Sequence, residues 1–539
     1  MSTSNIAAVV VAVIVAAASP PVSAADRSPG PPAGRDAGAV SIPPPLEQPG
    51  DPPAERVPDD GVKALEPTVV EHQGFVSFQV NVDAAGLNIP GDAANEPSIA
   101  VDPLDPRRMA IGWRQFDNVS SNFRQAGWAW SGDRGRSWTF PGSLTGGVFR
   151  SDPVLAADGD GRFYYYSLKE SLLCDFFFSD DRGETWTGPR AAFGGDKQWF
   201  AIDRSFGPGR GNIYASWSLA SNPWGERVFI RSTDGGQSFS EPIVLRPAPI
   251  WGTLTVDADG GLYLAGNASF NRGIFVVYRS LDAWDAGVDP TFDSFTVNLG
   301  GRQGAFASAG PNPVGLSGQL WIDADRSDGP NRGDLYIVAS VDPSGDDPQD
   351  VHFVRSSDLG ESWSLPVRVN TDDRNAWQWF ATMAVAPNGR IDVVWVESLT
   401  EAEPNIGQLM YGFSADGGAS WSTPVAASPV FDSYRGWPNQ NKLGDYYDMA
   451  SDDTGVDLAY AATFNDEQDV YYLRLWADCD GNGASDAYDV WLGRVRDCNA
   501  NTVPDTCEVL ESPGLDSDGD GVVDACRTPP RSGGGRVAP

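Results

Sequence analysis

Ser414-Ala415-Asp416-Gly417-Gly418-Ala419-Ser420-Trp421 is the phrase on which the reading of this chain turns. It returns as Ser356-Ser357-Asp358-Leu359-Gly360-Glu361-Ser362-Trp363. In shorter outline it appears at Ser131, Asp133, Gly135 and Trp138, at Ser179, Asp181, Gly183 and Trp186, and at Ser232, Asp234 and Gly236 with Phe239 in the aromatic place. A worn copy, Ser280-Leu281-Asp282 followed by Trp284, fills the interval between the third and fourth clear ones. The chemistry is that of a hairpin tip. Ser and Asp oxygens accept hydrogen bonds from the turn's own N–H groups, Gly supplies the positive φ that closes it, and the aromatic returns to the sheet as an apolar anchor. Chance in a Gly-rich chain accounts for one or two such phrases, not for five.

Between phrases a second pattern recurs, an apolar strand that ends in Asp. Examples are Ser98-Ile99-Ala100-Val101-Asp102, Val154-Leu155-Ala156-Ala157-Asp158, Phe200-Ala201-Ile202-Asp203, Leu254-Thr255-Val256-Asp257 and Leu320-Trp321-Ile322-Asp323. A Gly-containing turn and an aromatic-rich strand such as Phe163-Tyr164-Tyr165-Tyr166 follow; a third strand runs into the phrase and a fourth leaves it. Trp138 and Trp186 are 48 residues apart, Trp186 and Phe239 53, and Trp363 and Trp421 58. Four antiparallel strands repeating at roughly 40 to 50 residues mark the blades of a propeller. Inner strands beginning near Glu96, Asp152, Asp196, Trp251, Ser317, Trp377 and Asp445 make seven units. The last, running to Trp476, lacks the phrase and is one strand short, while Phe75-Val76-Ser77-Phe78-Gln79-Val80-Asn81-Val82 is a spare strand upstream of the first. Pairing the two closes the ring and leaves no open edge. The expectation is an all-β, seven-bladed β-propeller closed by an N-terminal strand, with six blades as the alternative if the worn unit is an insertion.

The phrase resembles the Asp-box, or BNR, repeat of sialidase-like β-propellers, over about residues 75–476. The resemblance implies a propeller with its Asp-box turns on the rim, away from the central pocket. For a true sialidase it also implies three arginines gripping a substrate carboxylate, a Tyr nucleophile paired with Glu, an Asp acid/base, and an Arg-Ile-Pro motif near the first blade. No Arg-Ile-Pro occurs here, so that catalytic set is not carried over.

The rest of the chain is organised around this ring. Residues 6–18 form a short, nearly continuous apolar run before Val22-Ser23-Ala24, which reads as a signal peptide over 1–24 and hence a secreted or cell-surface protein with no membrane span after cleavage. Residues 25–70 are a Pro/Gly-rich leader with too few aromatics to fold, 71–476 the propeller, 477–527 a calcium-binding module and 528–539 a tail. With 73 acidic against 38 basic residues the net charge is −35, which argues against nucleic acid and anionic membrane surfaces. The expected form is a monomer.

Of five Cys, four fall after residue 478, at Cys479, Cys498, Cys507 and Cys526, at intervals of 19, 9 and 19. In an exported protein that set implies one or two disulfides, with three pairings open if all are used. Cys174, in a hydrophobic strand, reads as a buried thiol. Around the four lie three acidic loops. Asp478, Asp480, Asn482, Asp486 and Asp489 occupy positions 1, 3, 5, 9 and 12 of an EF-hand-type loop with Gly483 at position 6. Asp497, Asn499, Asn501, Asp505 and Glu508 repeat the scheme, with Thr502 in place of the glycine; Asp516, Asp518, Asp520 and Asp524 repeat it again, with Arg527 where the last carboxylate belongs. Carboxylates and amides so spaced converge on a hard cation, Ca2+. The loops resemble dockerin and thrombospondin type 3 repeats, which implies an attachment or docking role.

With only two histidines, His72 and His352, the sequence argues against a Ser-His-Asp or histidine zinc site. Carboxylate or Tyr chemistry remains. The starts of the inner strands ring the mouth of the central channel and bring together Glu96, Arg150, Asp152, Asp196, Lys197, Trp251, Arg374, Trp377, Gln378, Lys442, Asp445 and Tyr446. Such a funnel binds a glycan or an extracellular protein. The competing expectation is a sialidase-like glycoside hydrolase acting through Asp152, Asp196, Asp445 and Tyr446, and a hydrated hole with self-satisfied ion pairs is the bland one.

Overall fold

The computed structural model describes residues 68–268, 270 and 272–475, and in the C-terminal region 486–491, 493–498, 504–517, 519 and 523–524. All of these fall in one compact unit, Ile42–Pro539. The signal-peptide and leader expectations, Cys479 and Cys526 and with them the pairing of the tail cysteines, and the loop residues Asp478, Asp480, Asn482, Asn499, Asn501, Asp518 and Asp520 lie outside the described residues. Among the described residues no helix is long and apolar enough to cross a membrane.

The strands form seven antiparallel sheets, four of four strands and three of five. Their inner strands are Ala93–Val101, Arg150–Ala157, Trp199–Ile202, Leu254–Val256, Trp321–Ala324, Gln378–Val385 and Asp448–Asp452, here called blades one to seven. All seven line a single central cavity. The architecture is the expected seven-bladed propeller.

Blade seven is built from both ends of the ring. Ser77, Phe78 and Gln79 pair with Leu473, Tyr472 and Tyr471, and Val69–His72, a strand the sequence did not announce, pairs outside Phe75–Gln79 as a fifth member. Asn81 completes the seam: its Nδ2 donates to Asp469 Oδ1 at 2.6 Å and its Oδ1 accepts from Val470 N at 3.0 Å.

Each Asp-box turn is drawn by the same set of bonds. In blade six the Ser414 hydroxyl accepts from Gly418 N (2.9 Å), while Asp416 accepts from Ser420 N (2.9 Å) and Ser420 Oγ (2.5 Å). The worn copy keeps this chemistry across a longer turn, with Asp282 accepting from Thr291 N (2.8 Å) and Thr291 Oγ1 (2.6 Å). The aromatic anchors then reach the preceding blade. Trp138 meets Tyr472 of blade seven, Phe239 meets Phe176 of blade two, and Trp421 meets Phe353 of blade five, at centroid distances of 5.6, 5.0 and 5.1 Å.

The box glycines lie flush against that neighbour. A Cβ on Gly418, at φ +83°, would stand 2.2 Å from Phe353 Cε1, whereas Gly142, at φ +112° in an outer strand, has nothing within 4 Å. Both positions strain an alanine by about 1–3 kcal/mol through the backbone; only Gly418 adds an overpacking cost of about 1–3 kcal/mol. Gly418→Ala is therefore expected to lower the urea midpoint clearly more than Gly142→Ala, and equal midpoints would show that the box does not lock blade six to blade five.

Candidate functional site

Backbone geometry sets the ring of strand entries. Glu96, Asp152, Lys197, Trp251 and Phe380 each stand six positions before the residue that follows an inner strand (Asp102, Asp158, Asp203, Asp257 and Ala386). Each has a left-handed backbone, with φ of 51, 48, 54, 54 and 57°. In blades one, two and six the ladder register slips at this point, between Asn95 and Ser98, Ser151 and Val154, and Trp379 and Thr382. A bulge of this kind re-aims a side chain that would otherwise follow the pleat.

On one side of the ring the result is a buried ionic network. Lys197 Nζ lies 2.6 Å from Asp152 Oδ2, 2.7 Å from Asp445 Oδ2 and 3.6 Å from Asp196 Oδ1. Lys442 Nζ lies 2.6 Å from Asp445 Oδ2 and 3.3 Å from Glu96 Oε1, and Arg114 Nη2 lies 3.2 Å from Glu96 Oε1. Arg124 stacks on Phe149 at 4.6 Å and donates to Ser151 Oγ, which itself meets Asp152 Oδ1 at 2.5 Å. Four carboxylates thus face four cations, all buried. Arg114 and Arg124 were missed by looking only at strand entries; a charge inside the apolar strand Met109–Phe116 was the signal for the first.

The network sets its members apart electrically. Burial pushes Asp152 and Asp445 up, but Lys197, Arg114 and Lys442 outweigh it and hold both below the usual carboxylate range. Glu96 goes the other way, to about 8, because burial outweighs the nearby cations and Asp152 adds repulsion. Asp196 is pushed up to about 6 by burial, against the pull of Lys197. Both Glu96 oxygens and Asp196 Oδ1 make no hydrogen bond.

The remaining expected residues divide. Tyr446 joins the ring, but its hydroxyl donates to Pro153 O at 2.8 Å and burial holds it protonated. Trp251 lies on the apolar side against Phe306 at 5.6 Å. Arg150 does not join: it pairs with Asp175 at 2.9 Å and stacks on Phe177. Arg374 pairs with Glu397 at 2.7 Å from a half-exposed position. Gln378 is buried beside Glu397, its register partner on the next strand, and Trp377 closes against Gly310.

The expected open funnel is covered. The connection 304–319 crosses to the start of blade seven, where Asn312 Nδ2 donates to Gly444 O (2.7 Å), Asn312 Oδ1 accepts from Leu443 N (2.9 Å) and Leu316 N donates to Asp445 Oδ1 (2.8 Å). From the other side, the connection before blade seven meets it through Ser433 Oγ to Pro311 O (3.0 Å) and Tyr434 OH to Gly310 O (2.6 Å). Loop lengths carry no such interlock in the sequence, which is why the ring read as an entrance.

Open space lies at the other end of the axis. There a central cavity of about 450 Å3 is lined by Trp199, Phe200, Trp321, Met383 and Met449, with Arg204, Arg326 and Asp323 at its rim. Its walls are stitched between blades: Asp448 of blade seven accepts from Ser98 Oγ (2.5 Å) and Ile99 N (3.1 Å) of blade one, and Ser98 Oγ accepts from Leu155 N (2.8 Å) of blade two. Asp323 accepts from Thr255 Oγ1 (2.8 Å) and Val385 N (2.9 Å).

In the tail, Asp486, Asp489 and Asp505 are buried, and the helix Asp486–Trp491 lies against Phe75–Gln79. Asp497 pairs with Arg136 of the first Asp-box turn at 2.9 Å. Asp516 Oδ1 accepts from Gly519 N (2.8 Å) and Asp524 Oδ2 from Ser517 N (3.1 Å). Glu508 O accepts from Ser512 N at 2.8 Å.

By fold the chain is a seven-bladed β-propeller. Among solved structures it is similar to the phage phi92 endosialidase (10% identity, TM-score 0.40, 76% of this chain and 69% of that one). It is similar also to the GH74 xyloglucanase of Xanthomonas campestris (16%, 0.37, 77% and 60%) and to the Aleuria aurantia lectin AAL (12%, 0.36, 62% and 97%). At these identities and TM-scores nothing about ligand or chemistry passes to this chain. No protein-family model and no curated protein matches it.

The raised carboxyls give the fold a pH signature. Between the ordinary Glu value of 4.5 and about 8, native Glu96 holds a proton that the unfolded chain has released, so stability falls as pH rises through that window. Asp196, raised to about 6, acts with the same sign over a narrower range. Urea midpoints between pH 5 and 8 are expected to decline in the native protein and to decline less in Glu96→Gln; an unchanged slope in the variant would remove Glu96 from the account.

Proposed function

We propose that this is a secreted binding propeller that takes a carbohydrate in the central cavity, with the C-terminal module as a calcium-dependent attachment. The observation that carries binding over hydrolysis is Lys197, which stands within 2.6 Å of Asp152 and 2.7 Å of Asp445. A glycosidase needs one carboxyl as acid and a second as base or nucleophile, both facing the sugar, and here both of these are spent on one buried ammonium. The cavity supports the ligand class: aromatic and apolar walls with a few polar groups at the rim match the pattern of small-ligand sites, and its size suits a sugar residue or two.

One observation favours the hydrolase reading. Asp196, raised to about 6 with an oxygen left unbonded, has the character of a general acid. It lacks a free carboxylate partner, because Asp152 and Asp445 are held ionised against Lys197.

Calcium is supported by the loop spacing and by the all-oxygen character of the buried carboxylates Asp486, Asp489 and Asp505, donors that suit a hard cation. Among the described loop carboxylates Asp497, Asp489 and Asp505 also pair with Arg136, Arg494 and Arg496, so a cation there would compete with these arginines.

A glycan array read in parallel for released sugar tests the propeller. Bound glycans without turnover are expected, with binding lost in Ala201→Trp, which fills the cavity; released sugar that disappears in Asp196→Asn would establish the hydrolase instead. For the tail, chelation is expected to open residues 477–527 to limited proteolysis while the propeller stays intact, and cleavage indifferent to calcium would end that reading.

A further inference from the structure

Blades three and five share a loop found in no other blade: Asp203-Arg204-Ser205-Phe206-Gly207-Pro208-Gly209-Arg210-Gly211 and Asp325-Arg326-Ser327-Asp328-Gly329-Pro330-Asn331-Arg332-Gly333. The two copies fold alike. Ser205 N donates to Asp203 Oδ1 at 2.8 Å and Gly207 N to Ser205 Oγ at 3.1 Å; the counterparts, Ser327 N to Asp325 Oδ1 and Gly329 N to Ser327 Oγ, measure 2.8 and 3.0 Å. In each, Gly211 N or Gly333 N closes the loop onto the carbonyl of its leading Asp at 2.9 Å.

Each loop sends its arginine to the same place. Arg204 Nε donates to Ala157 O at 2.8 Å, and Arg326 Nε to Val256 O at 2.7 Å. Ala157 and Val256 are equivalent, each being the last residue of the preceding blade's inner strand, just before an Asp. Both guanidinium groups therefore come to the rim of the central cavity, and they are the cations in its lining.

Their surroundings differ. Arg326 is paired with Asp323 at 2.8 Å. Arg204 forms no ion pair among the described residues; its bonds go to the Ala157 carbonyl. The carboxylates of the lining are already engaged, Asp323 by Arg326, Thr255 and Val385 N, and Asp448 by Ser98 Oγ, Ile99 N and Met449 N. Although Arg204 as a whole is exposed, crowding of its guanidinium and repulsion from Arg326 push it down to about 10, far enough above neutrality to keep it charged. A planar donor fork with unspent N–H groups, anchored on one edge and open on the other, is built to receive an oxyanion.

We infer that Arg204, backed by Arg326, makes the open mouth of the central cavity an anion-selective subsite, taking the carboxylate or sulfate group of an acidic sugar whose apolar face rests on the cavity wall. This rests on the carbohydrate reading and narrows it. In a protein of net charge −35 the long-range field repels anions, so selectivity has to come from these short-range donors.

Two measurements on the full chain separate the subsite from the carbohydrate reading. Crystals soaked in selenate are expected to show an anomalous peak between the two guanidinium groups, absent in Arg204→Gln and retained in Arg204→Lys, which keeps the charge. The glycan array is expected to favour uronate and sulfated glycans over their neutral counterparts by tenfold or more, with that preference falling to near unity in Arg204→Gln and in Arg326→Gln. A selenate peak with a blank array keeps the anion subsite and ends the carbohydrate reading. Neutral glycans bound equally well, no peak at the mouth, or peaks scattered over other arginines as an adventitious ion only, would overturn the subsite.

Discussion

Sheets arranged about an axis touch only their neighbours, so the whole ring depends on how each blade is held against the one before it. Here that contact is made twice. At the rim, an Asp-box glycine and aromatic press on the preceding blade, as Gly418 and Trp421 do on Phe353. At the axis, a side chain of one blade serves the backbone of another, as Asp448 does for Ile99 and Asp323 for Val385. The two contacts differ in kind: the rim is apolar burial with edge-to-face rings, whereas at the axis a carboxylate accepts directional hydrogen bonds from the amides of the adjacent blade.

This division explains what could be read in the sequence. The rim turn is local in the chain, written within eight residues, so five clear copies and a worn one stood out and marked the repeat, while the inner strands carried the count to seven. Even the worn copy proved sound, because Thr291 supplies to Asp282 what Ser420 supplies to Asp416. Closure was legible too, since a spare strand and a deficient blade had to find each other. The axial contacts were not. Arg114 and Arg124 reach the ionic network from outside the inner strands, and Arg150, which does begin one, turns to Asp175 instead. A residue's place along a strand predicts its side of the sheet; which of several nearby opposite charges it finds is decided in three dimensions.

The covered ring shows the same limit from another direction. Four carboxylates and four cations at converging strand entries describe equally well a polar pocket and a salt-bridged plug, and composition cannot choose between them. What chooses is a pair of long connections, 304–319 and the segment before blade seven, that interlock over the axis. Under that cover the buried charges pair with one another, because an unpaired buried ion is far more costly than a paired one, and Glu96 meets the same cost by holding its proton up to about 8. The left-handed backbone at Glu96, Asp152 and Lys197 is strain stored to bring that balance about.

The seam in blade seven has a consequence for the order of assembly. Its outer strands, Val69–His72 and Phe75–Gln79, leave the ribosome long before Asp469–Leu475, the strand they must join. The circle stays open until nearly the last of the propeller has been made, with Phe75–Gln79 paired on one edge to Val69–His72 and its other edge waiting for Tyr471–Leu473. A chain built this way completes its shape only once the far end has arrived.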